Sequence, residues 1–330
     1  MDDKNQQDAI AIVLVCDDKY VRHAATTIMS IVKNSQRTFC FYIFDCGIHL
    51  ENIEKLKVWD LGKNKINIVP MSKVEIFEKF KMRQRYSPAI FYRLAIPEIL
   101  SNLDKAIYMD SDMVVLGDLS EVWDIPMQDY TFGAVSEEYN SKNRALFKAR
   151  KHALGMPSKA IYFNSGFLLL NIKPLQDFHL AQRVIDFLQS NTNRKITLPD
   201  QDALNMVIDR TKFLSLPLKF NCDVNGAWQK AGIEKPCVLH LSNKVWKYPL
   251  PFVKHFLNKI QPYCYEYFRY ACTSPWSREA FQDASLWNVI RCLWKLYLNP
   301  VERFVKYDIP DKIKTLCNIF KSKNRNSLLK

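Results

Sequence analysis

Two aspartates separated by one residue, Asp110-Ser111-Asp112, are the first group in this sequence that could do chemistry. Hard carboxylate oxygens suit a divalent cation such as Mg2+ or Mn2+, and an imidazole joining them tilts the choice toward Mn2+. Such a cation would fill a gap. The chain has only 8 glycines, and neither GxGxxG nor GxxxxGK occurs in it. A diphosphate would therefore find no glycine-rich cradle of backbone N–H groups. A metal held by carboxylates is the usual substitute, because it neutralises phosphate charge and acts as a Lewis acid toward a leaving group. Taken alone, an Asp-x-Asp triplet is equally an ordinary solvated turn. Two other acidic positions share that ambiguity. Asp17-Asp18 closes an apolar run and reads also as a turn. Asp200 follows Pro199 where a helix opens, so capping that helix is its plain alternative.

The surrounding pattern says where these groups would stand. Ala9 to Val15 is a continuous apolar run, the mark of a strand buried on both faces, and it ends at Cys16-Asp17-Asp18-Lys19-Tyr20. Ala24 to Val32 has the spacing of an amphipathic helix. Phe39 to Phe44 and Ile66 to Val69 read as further strands, and Phe91 to Leu100 as a helical stretch ended or kinked by Pro97. Lys105 to Met109 is the next strand, with Asp110-Ser111-Asp112 at its C-terminal end and Met113 to Leu116 continuing as strand. Gly166 to Asn171 is another strand, preceded by Asn164. Pro199-Asp200 opens a helix that carries Gln201, Asp202, Leu204 and Val207. Strands alternating with helices imply a parallel α/β sheet covered on both faces. In such sheets ligands bind above the C-terminal ends of the strands, where Asp110 falls.

Five segments, in this order and spacing, carry a resemblance: Val15-Cys16-Asp17-Asp18-Lys19-Tyr20; Phe91-Tyr92-Arg93-Leu94; Tyr108-Met109-Asp110-Ser111-Asp112; Tyr162-Phe163-Asn164-Ser165-Gly166 with Leu170-Asn171; and Leu198-Pro199-Asp200-Gln201-Asp202-Ala203-Leu204-Asn205. Together they resemble the retaining glycosyltransferases of family 8, over about Ile10 to Pro249. Bacterial members of that family include lipopolysaccharide galactosyl- and glucosyltransferases. The resemblance implies a GT-A type fold, a Rossmann-like mixed sheet with helices on both faces. It also implies a UDP-hexose donor, with Mn2+ (or Mg2+) on Asp110 and Asp112. Asp17 and Tyr20 then look like the uracil-binding pair, with Asp18 and Ser111 beside them in the donor site. Lys19 stands where the family often has Asn. Arg93 looks like a donor-sugar contact, and Asn164 a group near the reacting carbon. Asp200 and Gln201 look like the residues flanking the anomeric centre, with Asp202 a further carboxylate if it points inward. Val238-Leu239-His240-Leu241-Ser242-Asn243-Lys244-Val245-Trp246 resembles the family's His-x-x-Gly-x-x-Lys-Pro-Trp segment. It is two residues shorter, with Asn243 in the Gly position and Val245 for Pro. On that match His240 ligates the metal and Lys244 grips the diphosphate. The alternative is a partly buried His at a strand end, leaving the metal to two aspartates, phosphate and water.

Charge bounds the partners. The formal net charge of the 330 residues is +13, which favours anionic ones. From Leu286 to the end, ten basic residues face three acidic ones, a net +7. Leu286, Val289, Ile290, Leu293 and Tyr297, then Ile313, Leu316, Cys317 and Phe320, recur at helical spacing among those lysines and arginines. This pattern predicts a basic helical appendage lying on an anionic membrane surface, the alternative being packing onto the body. The expected division is a catalytic domain over 1–255 and an aromatic, basic region over 256–330. Nine scattered cysteines without CxxC or zinc-ligand spacing read as reduced thiols. No basic stretch precedes an apolar one at the N-terminus, and no apolar run reaches the roughly 18 residues of a spanning helix. The expected location is cytoplasmic, peripheral on the cytoplasmic face of the inner membrane, with a glycan or glycolipid acceptor of lipopolysaccharide or lipooligosaccharide core type. No nucleic-acid motif is present, so none is expected as partner. A non-catalytic nucleotide-sugar or glycan-binding relative, a protein glycosyltransferase of the same family, and a membrane binder acting through its tail are the competing expectations.

Overall fold

The N-terminal apolar run forms strand β1 (Ile10–Cys16), with six of its seven residues buried. In the computed structural model, residues 8–71, 89–139, 144–191, 196–224, 227–242 and 264–283 are described. Lys244 and the predicted amphipathic helices from Leu286 onward lie outside them. The chain divides into two compact units, one of residues 1–245 with 251–280 and one of residues 246–250 with 281–330. The elements below belong to the first.

After β1 come α1 (Val21–Asn34), β2 (Phe39–Asp45), α2 (Leu50–Lys57) and β3 (Lys65–Pro70). Residues 89–99 form three short helical turns, with Pro97 in the first turn of the last. Then follow β4 (Lys105–Met109), β5 (Met113–Val115), β6 (Phe132–Ser136), α3 (Arg144–Ala153), β7 (Phe163–Asn171), α4 (Leu180–Ser190), α5 (Pro199–Val207), β8 (Phe213–Leu216), β9 (Cys222–Asp223), β10 (Val238–His240) and α6 (Cys264–Ala271). The main sheet runs β3-β2-β1-β4-β7-β6-β8. Successive side chains of a strand face opposite sides, so each central strand feeds two cores. Ile10, Ile12, Leu14, Ile107, Met109, Phe167 and Leu169 meet Ile28 and Ile31 of α1 on one side. Ala11, Val13, Ala106, Leu168 and Leu170 meet Leu180, Val184 and Leu204 of α4 and α5 on the other. Both faces are thereby covered, as the unbroken apolar run of β1 requires.

The sheet is mixed, as the family resemblance implies, where the strand–helix alternation alone reads as parallel. β7 pairs antiparallel with both neighbours, β4 and β6, while the other pairs of this sheet are parallel. The reversal matters for chemistry. It brings the start of β7 to the same edge as the end of β4, with Phe167 opposite Met109. One residue further, the Asp110 N–H donates to the Gly166 carbonyl (2.7 Å). A second, three-stranded sheet, β5-β10-β9, branches off behind Asp112. Its antiparallel register sets His240 opposite Met113, and the Leu241 N–H donates to the Asp112 carbonyl (2.8 Å). Two strand pairings thus bring residues 110, 112, 164–166 and 240 to one place.

Helix α1 steadies that place with a buried polar stripe. The Thr27 hydroxyl lies 3.2 Å from the Ser111 carbonyl and 2.7 Å from that of Met113, and Ser30 Oγ accepts from the Val115 N–H (2.9 Å). On the outside of α1, α6 docks through Tyr267, whose hydroxyl is 2.6 Å from Nδ1 of His23, and Tyr270, which accepts from Asn34 (2.7 Å).

Candidate active site

Asp110, Asp112 and His240 converge as the sequence predicts, each offering one ligand atom within 4.8 Å of the other two. His240 Nε2 stands 3.7 Å from Asp110 Oδ2 and 3.4 Å from Asp112 Oδ1. Neighbouring ligands around a cation of Mg2+ or Mn2+ size are about 3 Å apart, so small adjustments would close the set on a metal. Two hard oxygens and one imidazole suit Mn2+ or Mg2+ better than a thiolate-seeking ion. Space has been left for the set as well. A Cβ on Gly166 would meet Asp110 Oδ2 and His240 Cε1, both at 2.7 Å. Only glycine lets β7 pass beneath these ligands.

The three groups act strongly on one another's charge. Burial works against a charged His240, but Asp112 and then Asp110 outweigh it and raise the imidazole to about 9. Burial likewise disfavours the Asp112 carboxylate, and His240 overcomes it to hold that carboxyl below its ordinary value. The other oxygen of Asp110, Oδ1, is already engaged. It accepts from the Tyr108 hydroxyl (2.6 Å) and pairs with Arg93 Nη2 (3.1 Å), so Oδ2 is the oxygen turned to His240 and the candidate metal position.

Arg93 is the hub between this centre and helix α5. Its Nη1 donates to the Ser165 carbonyl (2.8 Å) and stands 3.6 Å from Asp200 Oδ2, while the guanidinium lies over the Tyr108 ring. Burial opposes its charge, but Asp110 foremost keeps it protonated beyond its ordinary value. Asp200 accepts from Ser165 Oγ (3.3 Å), pairs with Arg93, and takes backbone N–H groups of residues 200 and 201 in the first turn of α5. Burial pushes its carboxyl above the ordinary value; Arg93 opposes that and Asp110 adds to it. Gln201 accepts from the Ser165 N–H (3.0 Å) and donates to Tyr162 (3.1 Å).

Asp202 departs from the inward-pointing carboxylate that a nucleophile needs. It is fully buried, one oxygen accepts from Tyr162 (2.5 Å), and the other accepts from the N–H groups of Thr197 and Leu198 (2.9 and 3.0 Å). Asp202 thereby satisfies otherwise orphaned N–H groups at the entry to α5. Asn205, one turn later, zips α5 to the backbone of Phe163.

Asn164 faces the metal ligands from β7, its Oδ1 accepting from the Gly166 N–H and from Asn221, both at 2.8 Å. Glu137, at the end of β6, lies beside Asn164; burial raises its pKa, and its Oε2 has no hydrogen-bond partner among the described residues. The remaining expected donor residues are held by local structure. Asp17 accepts from the Tyr20 N–H (3.0 Å), the turn that starts α1. Asp18 accepts from the His49 N–H and from Asn52 (both 2.8 Å), tying the same turn to α2. Tyr20 sits edge-on to His23. The Ser111 hydroxyl donates to the Val15 carbonyl (2.9 Å), lashing the Asp-x-Asp turn to the end of β1. Tyr108, Tyr162, Ser165, Gly166 and Asn221 are structural members of the site to which sequence reasoning assigns no role. Of these, Tyr108, Tyr162, Ser165 and Gly166 lie within the segments that carry the resemblance, and Asn221 left no trace in the sequence.

Comparison with known proteins agrees with this geometry. The family model described as glycosyl transferase family 8 matches residues 11–248. General stress protein A of Bacillus subtilis is 25% identical over 296 residues, covering 82% of this chain and 96% of that one. A lipopolysaccharide 1,2-glucosyltransferase of Escherichia coli is 28% identical over 210 residues, covering 62% of this chain and 60% of that one. Among solved structures, the galactosyltransferase LgtC in complex with donor and acceptor sugar analogues superimposes with a TM-score of 0.66 at 19% identity, covering 81% of this chain and 96% of that one. That likeness speaks for the fold, which is the GT-A type. With the family model spanning both sheets and all three candidate metal ligands, the chain belongs to glycosyltransferase family 8.

Proposed function

We propose that this glycosyltransferase is a retaining, metal-dependent hexosyltransferase. It would move galactose or glucose from a UDP-sugar to a glycan acceptor of lipopolysaccharide or lipooligosaccharide core type. The observation that carries the reading is the convergence of Asp110, Asp112 and His240 at the sheet edge, over a glycine that leaves them room. When bound there, Mn2+ or Mg2+ supplies the charge that neutralises the diphosphate as UDP leaves.

The chain's own residues do the rest. Asp17 and Tyr20 hold the base at the end of β1, and Lys244, outside the described residues, grips the diphosphate. Arg93, locked between Asp110 and Asp200, fixes the distance from metal to sugar. Asp200, Gln201 and Asn164 line the sugar side. Asp202 holds α5 rather than attacking, since both of its oxygens are occupied. The acceptor assignment draws on the names of Escherichia coli relatives, which are lipopolysaccharide glucosyltransferases. Within this proposal the net +7 tail from Leu286, outside the described residues, holds the enzyme on the cytoplasmic face of an anionic membrane.

The test is a panel of UDP-sugars with Mn2+, read as UDP release with and without chelator. One hexose donor is expected to turn over, chelator to stop it, and Asp110→Asn to abolish it. Hydrolysis indifferent to chelator and to Asp110→Asn would overturn the proposal.

A further inference from the structure

A line of polar groups runs from β7 to His240, and its direction is fixed at one end. The backbone N–H of Gly166 can only donate, and it donates to Asn164 Oδ1 (2.8 Å). That same oxygen lies 2.8 Å from one end of the Asn221 amide, which must therefore be the NH2 group. The other end is then the carbonyl oxygen, 3.2 Å from Nδ1 of His240. A carbonyl oxygen only accepts, so Nδ1 carries a hydrogen. In the neutral ring Nε2 is left with its lone pair, and Nε2 is the nitrogen that faces Asp110 and Asp112. Asn221 is fully buried at 0% exposure, so bulk water cannot replace it as the acceptor. Its backbone N–H is tied to the Leu218 carbonyl (3.1 Å), immediately before β9.

We infer that Asn221 is a positioning residue of the metal centre. It selects the His240 tautomer that presents Nε2 to the cation and holds the ring in register with Asn164 on β7. This deepens the proposed function and rests on its metal reading of Asp110, Asp112 and His240. A ligating histidine is oriented by the acceptor of its distal N–H, and losing such an acceptor lowers metal affinity about 10–100-fold. The same amide also donates to Asn164, so its two ends can be separated by substitution. Asn221→Leu removes both ends at similar volume. Asn221→Asp keeps an acceptor for His240 and removes the donor to Asn164.

The experiment measures Mn2+ affinity of the full chain by calorimetry, together with turnover. Asn221→Leu is expected to weaken Mn2+ binding about 10–100-fold. Asn221→Asp is expected to hold Mn2+ affinity within about threefold of the parent chain while kcat falls, because Asn164 has lost its donor. Equal affinity losses in both variants, or none in Asn221→Leu, overturn the inference. A measurement on the parent chain needs no variant: 15N-histidine NMR of the Mg2+-loaded protein should show Nδ1 protonated at His240, and protonation at Nε2 instead overturns the inference. Failure of the parent reading looks different, because Asp110→Asn would then leave Mn2+ binding unchanged.

Discussion

The candidate metal end and the helix end of this site lie on either side of Arg93 and are built in opposite ways. At the metal end, Asp110, Asp112 and His240 point at one another, and their nearest mutual contacts are 3.4 and 3.7 Å. The two carboxylates there favour the protonated histidine against the cost of burying its charge. At the helix end, the Asp202 oxygens and the Gln201 amide are hydrogen-bonded within the protein, to Tyr162, Ser165 and the backbone of residues 197 and 198. At one end carboxylates gather around cationic side chains; at the other a carboxylate is held by neutral donors. The carboxylates of the first end differ from Asp202 in the charge of their partners, His240 and Arg93 against a hydroxyl and backbone N–H groups.

The largest effects should sort along that line. Asp112→Ala removes a ligand and is expected to abolish Mn2+ binding and lower kcat/KM by about 10^3-fold or more, since a Lewis acid supplies several kcal/mol at such a centre. Thermal stability without metal should change far less. Asp202→Ala is expected to invert the pattern. It leaves Tyr162 and two backbone N–H groups without their buried acceptor, at about 1–3 kcal/mol each. A drop of about 3 kcal/mol or more in unfolding free energy should follow, with Mn2+ affinity in the folded fraction unchanged. Denaturant unfolding beside calorimetric Mn2+ titration checks both. An Asp202 variant that stays fully stable but inactive would erase the distinction and restore Asp202 as a chemical group.

Which end was legible in the sequence follows from the same physics. β1, β2 and β4 are visible because a strand buried on both faces must be apolar, whereas β3, a half-exposed edge strand, shows only as the short run Ile66 to Val69. Asp110 and Asp112 are visible because acidic residues at the end of such a strand need a reason. Strand direction leaves no mark in the hydrophobic pattern, so the reversal of β7 that carries Asn164 to Asp110 was not readable from periodicity. β6, β8 and β10 are short and lacked a distinctive run. The bracing residues were hardest. A single buried Asn such as Asn221, or a Tyr such as Tyr162, has no periodicity, and its identity is set by a partner distant in sequence. Asp200 and Asp202 show the limit well: two carboxylates, two residues apart at one helix start, reach different partners, Asp200 the side chains of Arg93 and Ser165, and Asp202 Tyr162 and the N–H groups of residues 197 and 198.

Gly166 tests the metal end through space rather than charge. An added methyl would press on Asp110 Oδ2 and His240 Cε1 at 2.7 Å and on Asn164 Oδ1 at 3.0 Å. Gly166→Ala is expected to lower Mn2+ affinity about tenfold or more, of the size seen when ligand orientation is disturbed. The pairing of Asp202 with Tyr162 and the backbone should be untouched, leaving stability within about 1 kcal/mol. Loss of stability with normal Mn2+ affinity would place the glycine in the bracing class instead.

The smallest and most diagnostic effect is that of pH on metal binding. With its pKa raised to about 9 by Asp112 and Asp110, His240 is protonated at pH 7 in the metal-free protein. A metal needs the neutral ring, so binding must expel that proton. Asp112, held below its ordinary value, is already ionised and adds no proton in this range. Apparent Mn2+ affinity should therefore climb by up to about tenfold per pH unit from pH 7 toward 9 and level off above it. The stability of the metal-free protein should run the other way. A raised histidine stabilises the fold fully below the unfolded value near about 6.5, and that contribution fades as pH rises through about 9. Calorimetry at pH 7.5 in two buffers of different ionisation enthalpy reads the proton directly, and close to one released per Mn2+ is expected. At the helix end no such linkage exists, because Asp202 meets its partners whether or not a cation is bound. Zero protons released would mean that His240 is not exchanging its proton for the metal, and the two ends would no longer differ in the way their hydrogen bonds require.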